Sequence, residues 1–107
     1  MKKMTSTLFR EAVEQSEKPV LVDFSAPWCG YCKRLHPLLD RLEQKYSDIL
    51  SFVEINIDDE PELTSRFLVE VIPTLILFQG GIHGKPLVAP QSIVTVQEWL
   101  KEQGMSL

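Results

Sequence analysis

The chain has 107 residues, of which 24% are charged and 44% are hydrophobic, and its formal net charge is -4 at pH 7. This length suits one compact domain, so we expect residues 1–107 to form a single domain. The acidic balance argues against binding to nucleic acid or to anionic membranes, because both need clustered Lys and Arg. No stretch is apolar enough to cross a bilayer, and residues 5–19 lack the apolar core of a signal peptide. We therefore expect a cytoplasmic protein.

The hydrophobic pattern predicts an α/β fold in which helices alternate with strands. Gly80-Gly81 is a strong turn signal and predicts an antiparallel hairpin. In chain order, the expected elements are a helix capped by Thr5 that ends before Pro19, strand Val20–Phe24, a helix to about Tyr46, strand Ser51–Ile57, a short helix from Pro61 to about Phe67, strand Thr74–Phe78, a weaker strand near Lys85–Val88 and a helix capped by Ser92.

Two cysteines, Cys29 and Cys32, lie where the predicted strand Val20–Phe24 turns into a helix. At a helix start, unpaired backbone N–H groups and the positive end of the helix dipole favour thiolate over thiol. The thiolate is the form that attacks disulfides, and Cys32, one turn on, is close enough to close a short disulfide. Cys29 is therefore predicted to attack, and Cys32 to resolve the mixed disulfide.

Two other interpretations of the cysteine pair are weaker. A structural zinc site needs about four Cys or His ligands. Only His36 and His83 could join the cysteines, and neither belongs to a second paired-ligand motif. A purely structural disulfide would close too short a loop to constrain the unfolded chain much. Redox catalysis is therefore the favoured interpretation.

The segment Val22–Lys33 resembles the active-site segment of thioredoxins and of the thioredoxin-like domains of protein disulfide isomerases. Pro37 matches the helix-kinking proline of this family, Asn56–Asp58 the end of its central strand, and Ile72-Pro73-Thr74 its cis-proline loop. The resemblance covers nearly the whole chain from about Thr5 onward. It implies a thioredoxin fold.

The start of the chain departs from the family pattern. Thioredoxins usually carry an extra strand before their first helix, whereas only Met1–Met4 precede Thr5 here, too few residues for a full strand. We therefore expect a mixed sheet of four strands, with at most a vestigial fifth, flanked by about four helices. Deleting Met1–Met4 should cost little stability, because few contacts can be lost there.

The resemblance implies an enzyme that reduces protein disulfides through the Cys29–Cys32 pair without a bound cofactor. A reductase such as thioredoxin reductase would then recharge the oxidised pair. An oxidase or isomerase is the alternative enzyme, suggested by the segment Ala26–Gly30 and by the aromatic residue between the cysteines, and disfavoured by the missing signal peptide. A binding module that holds a peptide without turnover is the alternative from another class.

Asp23 is an unusual residue for an apolar strand. It either faces solvent or is buried, where desolvation would raise its pKa and make it a proton acceptor. The resemblance favours burial, since Asp23 matches the family's aspartate beneath the second cysteine, which accepts the Cys32 proton. Glu54 stands where many thioredoxins have a lysine, so it should make Asp23 hold its proton to higher pH, unless Glu54 swings into solvent. His36 is assigned to a solvated helix face.

The resemblance also implies a substrate groove beside the cysteines. The backbone of Ile72, before the family's cis-proline at Pro73, is expected to pair with a substrate strand. Trp28 and Tyr31 should lie at the surface rim, because a turn that exposes sulfur cannot bury both neighbours deeply. The substrate-binding residues expected on this basis are Trp28, Gly30, Tyr31, Ile72, Pro73 and Ala89.

Overall fold

The computed structural model describes residues 1–107, in which a six-stranded mixed sheet carries helices on both faces. The strand order is β1-β3-β2-β4-β5, with β6 also paired to β4. No helix has both the length and the apolar character needed to span a membrane. The elements are β1 (Lys2–Lys3), α1 (Ser6–Phe9) with a π-helical continuation (Arg10–Glu14), β2 (Val20–Ser25), α2 (Gly30–Tyr46), β3 (Ser51–Asn56), α3 (Pro61–Arg66), β4 (Thr74–Gln79), β5 (Ile82–His83), β6 (Leu87–Val88) and α4 (Ile93–Glu102).

Successive side chains of the central strand β2 point to opposite faces of the sheet, so the hydrophobic core has two layers. Val22 and Phe24 pack in the layer that holds α1 and α3, whereas Leu21 packs in the layer that holds α2 and α4. β2 runs parallel to β3 and antiparallel to β4. Asp23 therefore lies on the α2 face of the sheet, where Glu54 of β3 is its neighbour in register.

Helix α2 begins directly after Cys29, whose backbone is extended and whose side chain caps the first turn. Leu35, Leu39 and Leu42 recur at helical spacing and form a stripe that is buried against the sheet. Burial of each leucine contributes roughly 1.5–3 kcal/mol, so the stripe holds the helix start over the end of β2. Pro37 lies inside the helix on an exposed face.

The start of the chain is more ordered than its length suggests. Lys2 and Lys3 pair in parallel with Val53 and Glu54, and the N–H of Met4 donates to the Glu54 carbonyl at 2.8 Å. The Met4 side chain is buried in the core layer that holds α1. A short strand, the vestigial fifth strand that the sequence allows, therefore covers the edge of β3. The first residues make more contacts than the sequence analysis expects.

The other edge of the sheet also differs from the expected four strands. Gly80 and Gly81 both have positive φ and form the predicted turn, but the strand that follows, β5, begins at once. A Cβ on Gly81 would stand 2.7 Å from the Glu14 carbonyl oxygen, so only glycine fits there. The expected strand near Lys85–Val88 is the two-residue β6, so β5 and β6 pair with opposite ends of β4.

The burial of Met4 predicts that Met4→Ala lowers the free energy of unfolding by about 2–4 kcal/mol, because a cavity is left between β1 and α1. Urea unfolding followed by tryptophan fluorescence measures the loss. Lys2→Ala is the control, because its side chain is exposed and the change should stay within about 0.5 kcal/mol. Equal losses in the two variants would contradict an anchoring role for Met4.

Candidate active site

A disulfide joins Cys29 to Cys32 at the start of α2, with the two Cα atoms 5.3 Å apart. Cys29 is the residue that caps the helix, and the backbone N–H of Cys32 donates to the Cys29 sulfur at 3.1 Å. Both side chains are buried, and they pack in a small apolar cluster with Ala26. The Cys29 sulfur thus accepts a helix-terminal N–H group, a position that stabilises a thiolate when the disulfide is reduced.

Asp23 lies beneath this helix on the α2 face of the sheet and is only 2% exposed. Its Oδ1 atom is buried and has no hydrogen-bond partner. Burial, and then the negative charge of Glu54, raise the pKa of Asp23 to about 7. Of the two alternatives that the sequence leaves open for Asp23, the structure places the carboxyl group in the interior.

Glu54 is the neighbour of Asp23 across the parallel pair of β2 and β3. Its side chain is 19% exposed, and its Oε2 atom lies 3.6 Å from Nε2 of His36 on α2. Glu54 therefore turns toward the helix rather than into open solvent. The sequence assigns His36 to a solvated helix face, and its side chain is 39% exposed, but the ring also lies close to this carboxylate.

A cleft of about 390 Å³ opens beside Cys32, between the start of α2 and the edge of β3. His36, Glu54, Lys33 and Lys3 are among the residues that line it. Cys32 is also a lining residue, so the cleft reaches the second cysteine. No group of three or more His, Cys, Asp or Glu side chains is arranged to hold a metal ion.

Trp28 lies at the rim of the disulfide and is 66% exposed. Its indole N–H donates to Oδ2 of Asp58 at 2.7 Å, which holds the ring in place. Ile72 is half-buried and packs against the cysteine cluster, and the Ile72-Pro73 peptide bond is cis, as the resemblance implies. Gly30 is exposed at the first position of α2. Trp28 and Gly30 are therefore the chain neighbours of Cys29, and Ile72 packs against the same cysteine cluster.

A hydrogen bond joins Tyr31 to Ala89. The Tyr31 hydroxyl donates to the Ala89 carbonyl at 2.9 Å, and the Ala89 N–H donates to the Pro73 carbonyl at 2.8 Å. Ala89 has φ 48°, in the left-handed region that favours glycine. The guanidinium of Arg34 lies 5.1 Å from the centre of the Tyr31 ring. Tyr31 is thus half-buried and fastened on two sides, rather than standing freely at the rim.

Sequence reasoning missed three residues that contact the site: Asp58, Arg34 and His36. Spacing on the helix could have indicated His36, because it follows Cys32 by four residues and so lies on the same face. Asp58 was noted only as part of a family motif, and no local signal connects it to Trp28.

The pKa of Asp23 predicts that this residue destabilises the fold at neutral pH. Because the fold raises this pKa from an ordinary value of about 3.9, the folded state binds more protons between about pH 4 and pH 7. Stability therefore falls as pH rises through this window, and the loss persists above it. Asp23→Asn should remove the loss and be more stable than wild type by roughly 2–4 kcal/mol at pH 8.

Urea unfolding of the oxidised protein from pH 4 to pH 8 measures this difference. Asp48→Asn is the control, since Asp48 is exposed beyond the end of α2. A stability difference between Asp23→Asn and wild type that stays constant across this range would contradict the burial of an ionisable group.

Several known proteins have sequences similar to this chain. The family model Thioredoxin matches residues 1–102. A thioredoxin of Alicyclobacillus acidocaldarius subsp. acidocaldarius is 43% identical over 88 residues, which are 82% of this chain and 83% of that protein. Thioredoxin 1 of Nostoc sp. is 40% identical over 99 residues, 92% of each chain. The chain therefore belongs to the thioredoxin family, and with that membership it is an oxidoreductase that reduces protein disulfides through its own cysteine pair.

Proposed function

We propose that residues 1–107 act as a single thioredoxin-like domain in which Cys29 attacks a substrate disulfide, Cys32 resolves the mixed disulfide and Asp23 accepts the Cys32 proton. One observation carries the assignment of the two sulfurs. The Cys32 N–H donates to the Cys29 sulfur at the start of a 17-residue helix, so negative charge is favoured on Cys29.

The reaction moves two electrons from the dithiol to the substrate. The Cys29 thiolate forms a bond to one substrate sulfur and releases the other as a thiolate. Cys32 then loses its proton, attacks the Cys29 sulfur and releases the second substrate sulfur, which leaves the Cys29–Cys32 disulfide. The substrate is reduced by two electrons and the enzyme is oxidised by two, and no bound cofactor takes part.

The environment of Asp23 supports its role as the proton acceptor. A pKa of about 7 lets the carboxyl group exchange a proton near neutral pH, where an ordinary aspartate would stay ionised. The Oδ1 atom has no partner within the chain, so it is free to accept a proton, directly or through a water molecule from the cleft that Cys32 and Glu54 line.

The substrate is proposed to lie over Trp28, Gly30, Tyr31, Ile72, Pro73 and Ala89. Ile72 lies outside the helices and strands, and neither its N–H nor its carbonyl hydrogen-bonds within the chain. An extended substrate segment could take both groups as a strand adds to a sheet edge. Backbone pairing of this kind tolerates many sequences, which suits an enzyme that acts on many proteins.

The enzyme also needs a reductase and a reducing compartment. A reductase such as thioredoxin reductase returns the disulfide to the dithiol, as in the family. We place the cycle in the cytoplasm, where thiols are kept reduced and a lone Cys-x-x-Cys is more often catalytic than structural.

Serine substitutions test the assignment of the two sulfurs. Cys29→Ser should abolish insulin reduction, because the attacking thiolate is gone, whereas Cys32→Ser should accumulate mixed disulfides with protein substrates. Mass spectrometry of the trapped species under non-reducing conditions identifies the bonded cysteine. Mixed disulfides through Cys32 in the Cys29→Ser variant, with none through Cys29 in the Cys32→Ser variant, would reverse the assignment.

Glu54 offers a test of Asp23 as the proton acceptor. Because the charge of Glu54 adds to the pKa of Asp23, Glu54→Gln should shift the pH profile of mixed-disulfide resolution to lower pH, and Glu54→Lys should shift it further. Stopped-flow measurement of resolution gives the profiles. Glu62→Gln, an exposed glutamate on α3, is the control. Superimposable profiles in all four proteins would show that Glu54 has no electrostatic part in the reaction.

A further inference from the structure

His36 holds a position between two carboxylates. Its Nδ1 lies 3.1 Å from Oδ2 of Asp40, one turn along α2, and its Nε2 lies 3.6 Å from Oε2 of Glu54 on β3. The contact with Asp40 lies within one helix, but the contact with Glu54 crosses from the helix to the sheet. His36 therefore connects the surface of α2 with the residue next to Asp23.

Both ring nitrogens lie close to carboxylate oxygens, one on the same helix and one on the sheet. In its imidazolium form the ring has an N–H on each nitrogen and a positive charge, which is attracted to both carboxylates. The neutral ring has no charge with which to offset either carboxylate. The imidazolium is therefore the form of His36 that compensates the charge of Glu54.

A cation in this position acts on Asp23 through Glu54. Asp23 and Glu54 are neighbours in register, and the Glu54 charge opposes ionisation of Asp23. Positive charge beside Glu54 offsets that effect. Other charges also face this region, and they come from every neighbouring element: Lys33 of α2, Lys3 of β1, Asp59 and Glu60 after β3, and the amino group of Met1, 3.4 Å from Asp40 Oδ1.

We propose that His36 is a positioning residue for proton transfer: as an imidazolium between Glu54 and Asp40, it offsets the Glu54 charge and sets the pH range in which Asp23 accepts the Cys32 proton. The inference rests on the proposed role of Asp23 and adds a regulator to it. When the ring is neutral, Glu54 acts uncompensated, so loss of the imidazolium charge raises the pKa of Asp23.

Carbon-13 NMR of the Asp23 carboxyl group in the oxidised protein tests the coupling without relying on activity. His36→Gln removes the cation and should raise the titration midpoint of Asp23 by roughly 0.5 pH unit. His36→Lys supplies a permanent cation and should lower it. In a Glu54→Gln background, the effect of His36→Gln should fall to less than half. His83→Gln is the control, because His83 lies in β5 against Phe67 and Phe78, and it should leave the midpoint unchanged.

The results distinguish the role of His36 from the role of Asp23 as proton acceptor. An unchanged or lowered Asp23 midpoint in His36→Gln would overturn the inference, as would an equal rise with and without Glu54. Resolution rates measured on the same variants should follow the Asp23 midpoint. If the midpoint moves and the rates do not, then Asp23 is not the proton acceptor, and the catalytic part of the inference fails with the proposed function.

Discussion

The burial of Asp23 is the constraint on which the active site depends. A carboxyl group that is 2% exposed, with an oxygen that has no hydrogen-bond partner, resists ionisation because the interior cannot replace its water. An apolar residue in this strand position would make a more stable sheet. The carboxyl group instead exchanges a proton near neutral pH. Asp23 therefore lowers the stability of the fold at the position where the proposed reaction needs a base.

The fold brings the disulfide to this carboxyl group by a short path. β2 carries Asp23 on its α2 face, and α2 starts after one short turn, so the helix-capping cysteine comes to lie over the same end of the sheet. The leucine stripe of α2 fixes the helix against β2 and β3. The cis-proline loop then closes the other side of the disulfide with Ile72. The two sulfurs are therefore held between rigid elements, with the loop of Ile72 on one side and a cleft on the other.

Features set by neighbouring residues could be predicted from the sequence, and contacts between distant segments could not. The cysteine turn, the extent of α2 and the Gly80-Gly81 turn follow from local pattern. Strand β1 could be anticipated only as a vestigial fifth strand, because two residues carry no periodicity, and nothing local indicates the burial of Met4. Distant contacts are missed because nothing local marks them, as with Trp28 and Asp58, 30 residues apart, and Tyr31 and Ala89, 58 residues apart.

The cysteine pair can reduce protein disulfides only if its own reduction potential is low enough. The equilibrium reduction potential of the Cys29–Cys32 couple is therefore the decisive measurement, because it sets the direction in which electrons flow. It can be measured at pH 7 by equilibration with glutathione or dithiothreitol buffers. For a reductant we expect a value close to that typical of thioredoxins, ~-270 mV. A value in the range of ~-180 to -120 mV, as in disulfide isomerases and oxidases, would show that the pair is not a reductant.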